Sequence, residues 1–241
     1  MLSKNRLKLI RKLSQKKFRQ ENNLFVAEGE KVVYELLDSG WKVNEIYTTN
    51  PLQNIPHTLV ERSDLKKISN LSSVTSIIGV FHLPKYQFSY INNGFSIALD
   101  SIADPGNLGT IIRLCDWFGI QNLFCSPNTV DCFNPKVVQS TMGSISRVQC
   151  HYVDLFTLID KCETKVYATT LDGNSFYRES FPTDGLLLMG SESHGINDEL
   201  LAKIKNRITI PAHSRNRGAE SLNVATATAI LLSEIFRSRV Y

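Results

Sequence analysis

A single short run, Gly185-Leu-Leu-Leu-Met189, does most to limit what this chain can fold into. It is strand-sized and apolar on both faces, which suits the buried interior of a parallel sheet and not a half-solvated antiparallel one. From residue 95 onward the sequence alternates regularly between two kinds of element. Strands are expected over 95–99, 123–125, 148–150, 166–170, 185–189 and 207–210. Helices are expected over 108–118, 135–141, 155–161, 197–204 and 223–237. That succession implies an α/β domain with a mostly parallel sheet covered on both sides.

The first 84 residues read as a separate, small α/β domain. Its expected elements are a helix over 3–19, a strand over 24–27 and a helix over 30–39 with Gly40 at its C-terminal cap. Strands over 43–48 and 58–60, a helix over 63–69 and a strand over 77–82 follow. Residues 85–94 are polar, turn-rich and end in Asn-Asn-Gly, the pattern of a linker. The larger domain then occupies 95–241. A chain of 241 residues is long enough for two modest cores.

No apolar run approaches the roughly 20 residues that cross a bilayer, and the basic N-terminus lacks the apolar core of a secretory signal. A cytoplasmic location without membrane attachment is expected. Cys115, Cys125, Cys132, Cys150 and Cys162 form no CxxC pair, and the five histidines fall singly. Reduced, buried thiols and no metal site are the expectation.

Net charge is +4 but unevenly placed. Lys4, Arg6, Lys8, Arg11, Lys12, Lys16, Lys17 and Arg19 fall within residues 3–19 with no acidic residue among them. Leu7, Ile10, Leu13 and Ser14 offer a narrow inward stripe, so the cations could simply face water. Unrelieved repulsion would weaken such a helix, whereas a polyanion relieves it and releases counterions. A nucleic-acid surface is the better account, with these cations as its contacts.

Three loops leave the C-terminal ends of expected strands, the edge at which open parallel sheets bind ligands. The first follows Leu99. Asp104-Pro105-Gly106 makes a tight turn, Asn107 can cap the next helix, and Gly106, Gly109, Thr110 and Arg113 share a helical face. Two glycines in a first helical turn cost roughly 1 kcal/mol each against Ala, which favours a functional reason for them. The second follows Met189, where Gly190 and Gly195 flank Glu192. The third follows Ile210 and carries His213, Arg215 and Arg217 before Ser221-Leu222-Asn223 opens a helix. There Ser221 and Asn223 serve at least as caps. None of the three is a serine-hydrolase elbow, a Walker loop or a GxGxxG fingerprint.

Asn107 with Arg113, Gly190-Ser191-Glu192 with Gly195, and Ser221-Leu222-Asn223, in this order, resemble the signature motifs of the SpoU–TrmH family. These are RNA 2′-O-ribose methyltransferases of the SPOUT class. The similarity covers 95–241 and includes KVVQSTMGSISRV (136–148). KKFRQENNLFVAEG (16–29) resembles the RNA-binding domain that precedes the catalytic domain in the ribosomal RNA enzymes of that family. Two features stand outside the pattern: the loop around His213 is unusually basic, and Asp131 and Cys132 occupy positions where it fixes nothing.

The resemblance implies a C-terminal trefoil knot, one of the rare exceptions to unknotted chains. It also implies a homodimer with active sites at the subunit interface. S-adenosylmethionine would be the methyl donor, contacted by Gly190, Ser191, Gly195, Ile210, Ser221 and Leu222. Arg113 would be the central catalytic residue, with Asn107, Glu192, Ser221 and Asn223 around it. Because an arginine holds its proton to a pH above about 12, Arg113 is expected to grip phosphate and steady a developing alkoxide rather than act as a base. The substrate would be RNA, ribosomal in preference to transfer, with guanosine methylated, and Arg215 and Arg217 would join the N-terminal cations in holding it. Two rival readings are a catalytically silent RNA-binding protein on the same fold and a nucleotidyl or phosphoryl transferase. The intact motif residues weigh against the former, and the lack of a phosphate loop and clustered carboxylates against the latter.

Overall fold

The computed structural model describes residues 3–71, 73–86, 94–213 and 220–237. Up to His82 the elements are α1 (Lys4–Lys12), α2 (Lys16–Asn22), β1 (Leu24–Glu28), α3 (Glu30–Asp38), β2 (Val43–Thr48), β3 (Thr58–Leu59), α4 (Arg62–Ile68) and β4 (Ile77–His82). From Phe95 they are β5 (Phe95–Asp100), α5 (Pro105–Trp117), β6 (Asn122–Cys125), α6 (Pro135–Ser140), β7 (Gln149–Tyr152) and α7 (Leu155–Asp160). The chain continues with β8 (Val166–Ser175), β9 (Gly185–Gly190), α8 (Asp198–Ala202), β10 (Asn206–Thr209) and α9 (Val224–Arg237).

The chain divides into two units. One combines Met1–Lys85 with Asp131–Arg147, and the other combines Tyr86–Val130 with Val148–Tyr241. The segment carrying α6 thus groups with the N-terminal residues, although in sequence it lies between two strands of the second unit. Of the expected linker, residues 87–93 lie outside the described residues.

The first unit is a four-stranded sheet in the order β1-β4-β2-β3, antiparallel except between β2 and β3. Ile10 and Leu13 of the N-terminal segment and Leu65 and Ile68 of α4 close one core against Leu24, Val26, Ile78 and Val80. The helix expected over 3–19 is two helices. The guanidinium of Arg19 donates to the carbonyls of Leu13 and Ser14, both at 2.9 Å. An unbroken helix would need those carbonyls for its own ladder. The Ser14 hydroxyl also turns back to the Arg11 carbonyl at 2.8 Å, a competition with the helix that side chains of this type set up.

The second unit is a six-stranded sheet in the order β10-β8-β9-β5-β6-β7, with every neighbouring pair parallel. Ile97, Ala98, Leu99, Leu186, Leu187 and Leu188 are fully buried, as the both-faces-apolar pattern requires. Ala98, Leu186 and Leu188 pack with Leu155 and Leu158 of α7 and Leu200 of α8. Elsewhere α9 lies along α5 and β9, and Phe236 meets Phe118 with ring centres 5.3 Å apart.

Strand β8 departs from expectation by running on to Ser175. Its register against β10 jumps: Ala168 pairs with Arg207, but the next β10 residue, Ile208, pairs with Asn174. The intervening residues 169–173 therefore bulge out of the ladder near the C-terminal ends of the strands. Among the described residues no helix is long and apolar enough to cross a membrane.

Candidate active site

The first and second loops leave adjacent strands, because Asp100 at the end of β5 is the register partner of Gly190 at the end of β9. Asp100 is buried, and its carboxylate ties the two loops down. One oxygen accepts the Asn197 N–H at 2.8 Å, and the other accepts the Ser101 hydroxyl at 3.0 Å. Asn197 in turn caps α8 by accepting the Leu200 N–H at 3.1 Å. Asp100 was absent from the sequence-derived site. Its one signal was position, as the last strand residue before a loop at the binding edge of a parallel sheet.

Between these anchors residues 191–195 form a closed turn. Ser191 and Gly195 exchange both backbone hydrogen bonds, at 3.0 and 2.9 Å, and Gly195 has a left-handed φ of +69°. Gly190 is required here by space, since a Cβ on it would collide with the backbone of Gly195 and Ile196. The tip of the turn presents Glu192 to solvent.

Helix α5 starts two residues before Asn107. Asp104 is its cap and accepts the Asn107 N–H at 2.8 Å, with Pro105 in the first turn. This corrects the expected capping role of Asn107 and frees its side chain. That side chain donates to Glu192 and accepts from Asn223 Nδ2, the latter at 2.9 Å. Asn223 does cap its helix: its Oδ1 accepts the N–H groups of Ala225 at 3.0 Å and Thr226 at 3.2 Å. Three segments far apart in sequence thus meet in one chain of side-chain bonds, Glu192 to Asn107 to Asn223.

Arg113 is exposed and forms no hydrogen bond or ion pair with a described residue. It lies six residues after Asn107 on α5, about 9 Å further along the axis and roughly a third of a turn round. The structure therefore does not join Arg113 to the trio within one chain. One helical turn beyond it, Trp117 is 85% exposed. Ser221 and Leu222 lie exposed just before α9, and Ile210 is partly buried just after β10. Arg215 and Arg217 fall outside the described residues.

The N-terminal cations separate into two groups. Arg19 is 2% exposed and pairs with Asp131 at 2.5 Å, so it is a buried structural ion and not an RNA-facing charge. Arg6 bonds Glu45 and Asn44, both at 2.5 Å. Lys17 has Glu21 at 3.9 Å. By contrast Lys4, Lys8, Arg11 and Lys12 line, with Leu7 and Gln15, a shallow groove of about 450 Å³ along α1. Asp131, at a position to which sequence reasoning attached nothing, proves to be the partner of the deepest of these cations. Among the described residues no group of His, Cys, Asp or Glu side chains is placed to hold a metal.

The chain is similar to known proteins over nearly its whole length. The SpoU rRNA Methylase family matches residues 94–233, and the MRM3-like substrate binding domain matches residues 4–79. A 23S ribosomal RNA guanosine 2′-O-methyltransferase of Bacillus subtilis is 31% identical over 92% of this chain and 92% of its own length. The solved structure of a putative TrmH-family RNA methyltransferase from Porphyromonas gingivalis is 37% identical, covers 99% of both chains and superposes with a TM-score of 0.88. An AdoMet-bound rRNA methyltransferase from Sinorhizobium meliloti is 30% identical, covers 100% of this chain and 97% of its own, and superposes with a TM-score of 0.89. With the motif residues, the sheet order and these matches all in accord, the chain belongs to the SpoU rRNA methylase family.

Proposed function

We propose that this protein transfers a methyl group from S-adenosylmethionine to a ribose 2′-hydroxyl of RNA, ribosomal in preference to transfer RNA and at guanosine, in the cytoplasm. The observation that carries the reading is the bonded trio of Asn107, Glu192 and Asn223 at the binding edge of a parallel sheet. Family membership supports the reaction class. The AdoMet-bound relative supports the donor, and the Bacillus subtilis relative supports the RNA and the nucleotide.

When bound, S-adenosylmethionine supplies an electrophilic methyl. The protein's own residues align the ribose oxygen and ease loss of its proton, and alignment alone can lower a barrier by several kcal/mol. Gly190 lets the turn at Gly195 and Ile196 fold against the end of β9, where a Cβ would collide with its backbone. With Gly195, Ser191, Ile210, Ser221 and Leu222 it forms the donor site, and Ser221 helps the trio orient the ribose. Arg113, keeping its proton, grips a phosphate and steadies the developing alkoxide while the proton leaves to phosphate or water.

The reading includes a homodimer in which Arg113 of one protomer serves the site of the other. Its support is that Arg113 has no hydrogen-bond or ion-pair partner among the described residues of its own chain and shares a helix face with the exposed Trp117. It also includes a trefoil knot in the chain after β10. The support there is that β10 lies at the far edge of the sheet, yet α9 lies against α5 and β9. The first unit holds RNA through Lys4, Lys8, Arg11 and Lys12, together with Lys16 and Lys17; Arg215 and Arg217 add contacts from the third loop.

Arg113→Ala tests the proposal. It should bind S-adenosylmethionine like the wild type by calorimetry and lose at least about a hundredfold in transfer rate. Near-normal turnover would overturn the assignment.

A further inference from the structure

Among the described residues Ser101 and Met142 are the ones other than glycine and asparagine with a left-handed φ. Ser101, at +59°, follows Asp100 directly and begins the first loop. Serine seldom adopts that conformation, and residues held in it persist where the surrounding structure over-determines them, often beside active sites.

Ser101 is held from two sides. Its hydroxyl donates to Asp100 at 3.0 Å. Its N–H donates at 2.8 Å to Ser126 Oγ, in the loop that follows β6. Ser126 and Thr129 are buried, and their hydroxyl oxygens lie 3.1 Å apart. Thr129 Oγ1 donates to the Leu99 carbonyl at 3.3 Å, so Ser126 is the donor between the two hydroxyls. Each of them then both accepts and donates, in a satisfied relay from the Ser101 N–H back to the Leu99 carbonyl. The relay takes over where the β5–β6 ladder stops, at the pair Leu99 and Cys125. The same loop fixes the next residue, since the Ile102 carbonyl accepts the Val130 N–H at 2.8 Å. Two residues further on, Asp104 caps α5, whose first turn carries Asn107.

We infer that Ser126 and Thr129 are positioning residues for methyl transfer. By holding Ser101 left-handed they aim the chain leaving β5, so that Asn107 meets Glu192 and Asn223. The inference rests on the function proposed above and deepens it, because the loop after β6 carries none of the three signature motifs.

The test uses the full chain, S-adenosylmethionine and ribosomal RNA from cells lacking this protein, at a temperature where every variant is folded by circular dichroism. The readouts are kcat, KM for RNA and calorimetric affinity for the donor. Ser126→Ala removes the acceptor of the Ser101 N–H and lets Ser101 relax. Its kcat should fall at least about tenfold, as small misplacements around a reacting centre allow. KM and donor affinity should stay within about threefold. Adding Ser101→Gly should bring kcat back to within about threefold of the wild type, because glycine takes a left-handed φ unaided. That rescue separates positioning from a merely structural bond, since glycine returns the conformation and neither of the lost hydrogen bonds. If Ser126→Ala does not fold, Thr129→Val breaks the same relay and is assayed alone and with Ser101→Gly under the same criteria. An unchanged kcat, a fall that Ser101→Gly does not reverse, or an equal loss of donor affinity overturns the inference alone. Failure of the wild type to transfer methyl to RNA overturns the proposed function and this inference together.

Discussion

Asn223 Nδ2 donates to Asn107 Oδ1 across 2.9 Å, joining residues 116 apart in sequence. The bond exists because capping duties are divided. Asp104 takes the start of α5, which releases Asn107. Asn223 caps α9 with its oxygen alone, which leaves its nitrogen to reach across.

Stability and activity should therefore separate among these residues. Asp104→Ala should cost about 1 kcal/mol in urea unfolding through loss of a cap. Asn107→Ala removes no cap and should leave stability within about 0.5 kcal/mol, while transfer falls at least about tenfold. Asn223→Asp keeps the acceptor that caps α9 and loses the donor, so it should resemble Asn107→Ala. If Asn107→Ala lost stability as Asp104→Ala does, the division of roles would be wrong.

The Arg19–Asp131 pair should behave as a lock within the first unit. Arg19 is 2% and Asp131 15% exposed at the side chain, and removing one partner of a buried pair strands the other. Asp131→Ala should cost about 3–5 kcal/mol, read as a shift in the urea midpoint. A change below about 1 kcal/mol, as exposed pairs give, would contradict the burial.

Tyr47 gives the first unit a limit in alkali. Burial, aided by donation of its hydroxyl to Glu45, pushes its phenol from the usual 10 up to about 12. The folded state thus favours the neutral phenol. Its contribution is complete below about pH 10 and is lost as pH rises towards 12. Urea midpoints of the wild type should fall through that window more steeply than those of Tyr47→Phe. Parallel profiles would remove Tyr47 as the cause.

What the sequence disclosed was whatever repeats locally. The run through Leu186, Leu187 and Leu188 announced a parallel sheet, because a strand covered on both sides has no polar alternate. The three candidate loops were legible from their glycines and from following such strands. Long-range pairing was hidden. Arg19 reads as one more cation in a basic run until Asp131, 112 residues away, neutralises it. Asn107 and Asp104 are both good caps, and only Pro105, which favours the first helical position, pointed to the earlier one. The bulge at residues 169–173 depends on how β8 meets β10, a pairing no periodicity encodes.

The most direct measurement of the central claim is the fate of label from S-adenosylmethionine carrying a radioactive methyl group, with ribosomal RNA from cells lacking this protein as substrate. A methylated 2′-hydroxyl cannot assist cleavage of its own phosphodiester, so alkali should release the label in a resistant dinucleotide. Wild-type protein should produce that dinucleotide and Arg113→Ala should not. Label recovered in ordinary mononucleotides, or no transfer by the wild type, would contradict methylation of ribose by this site.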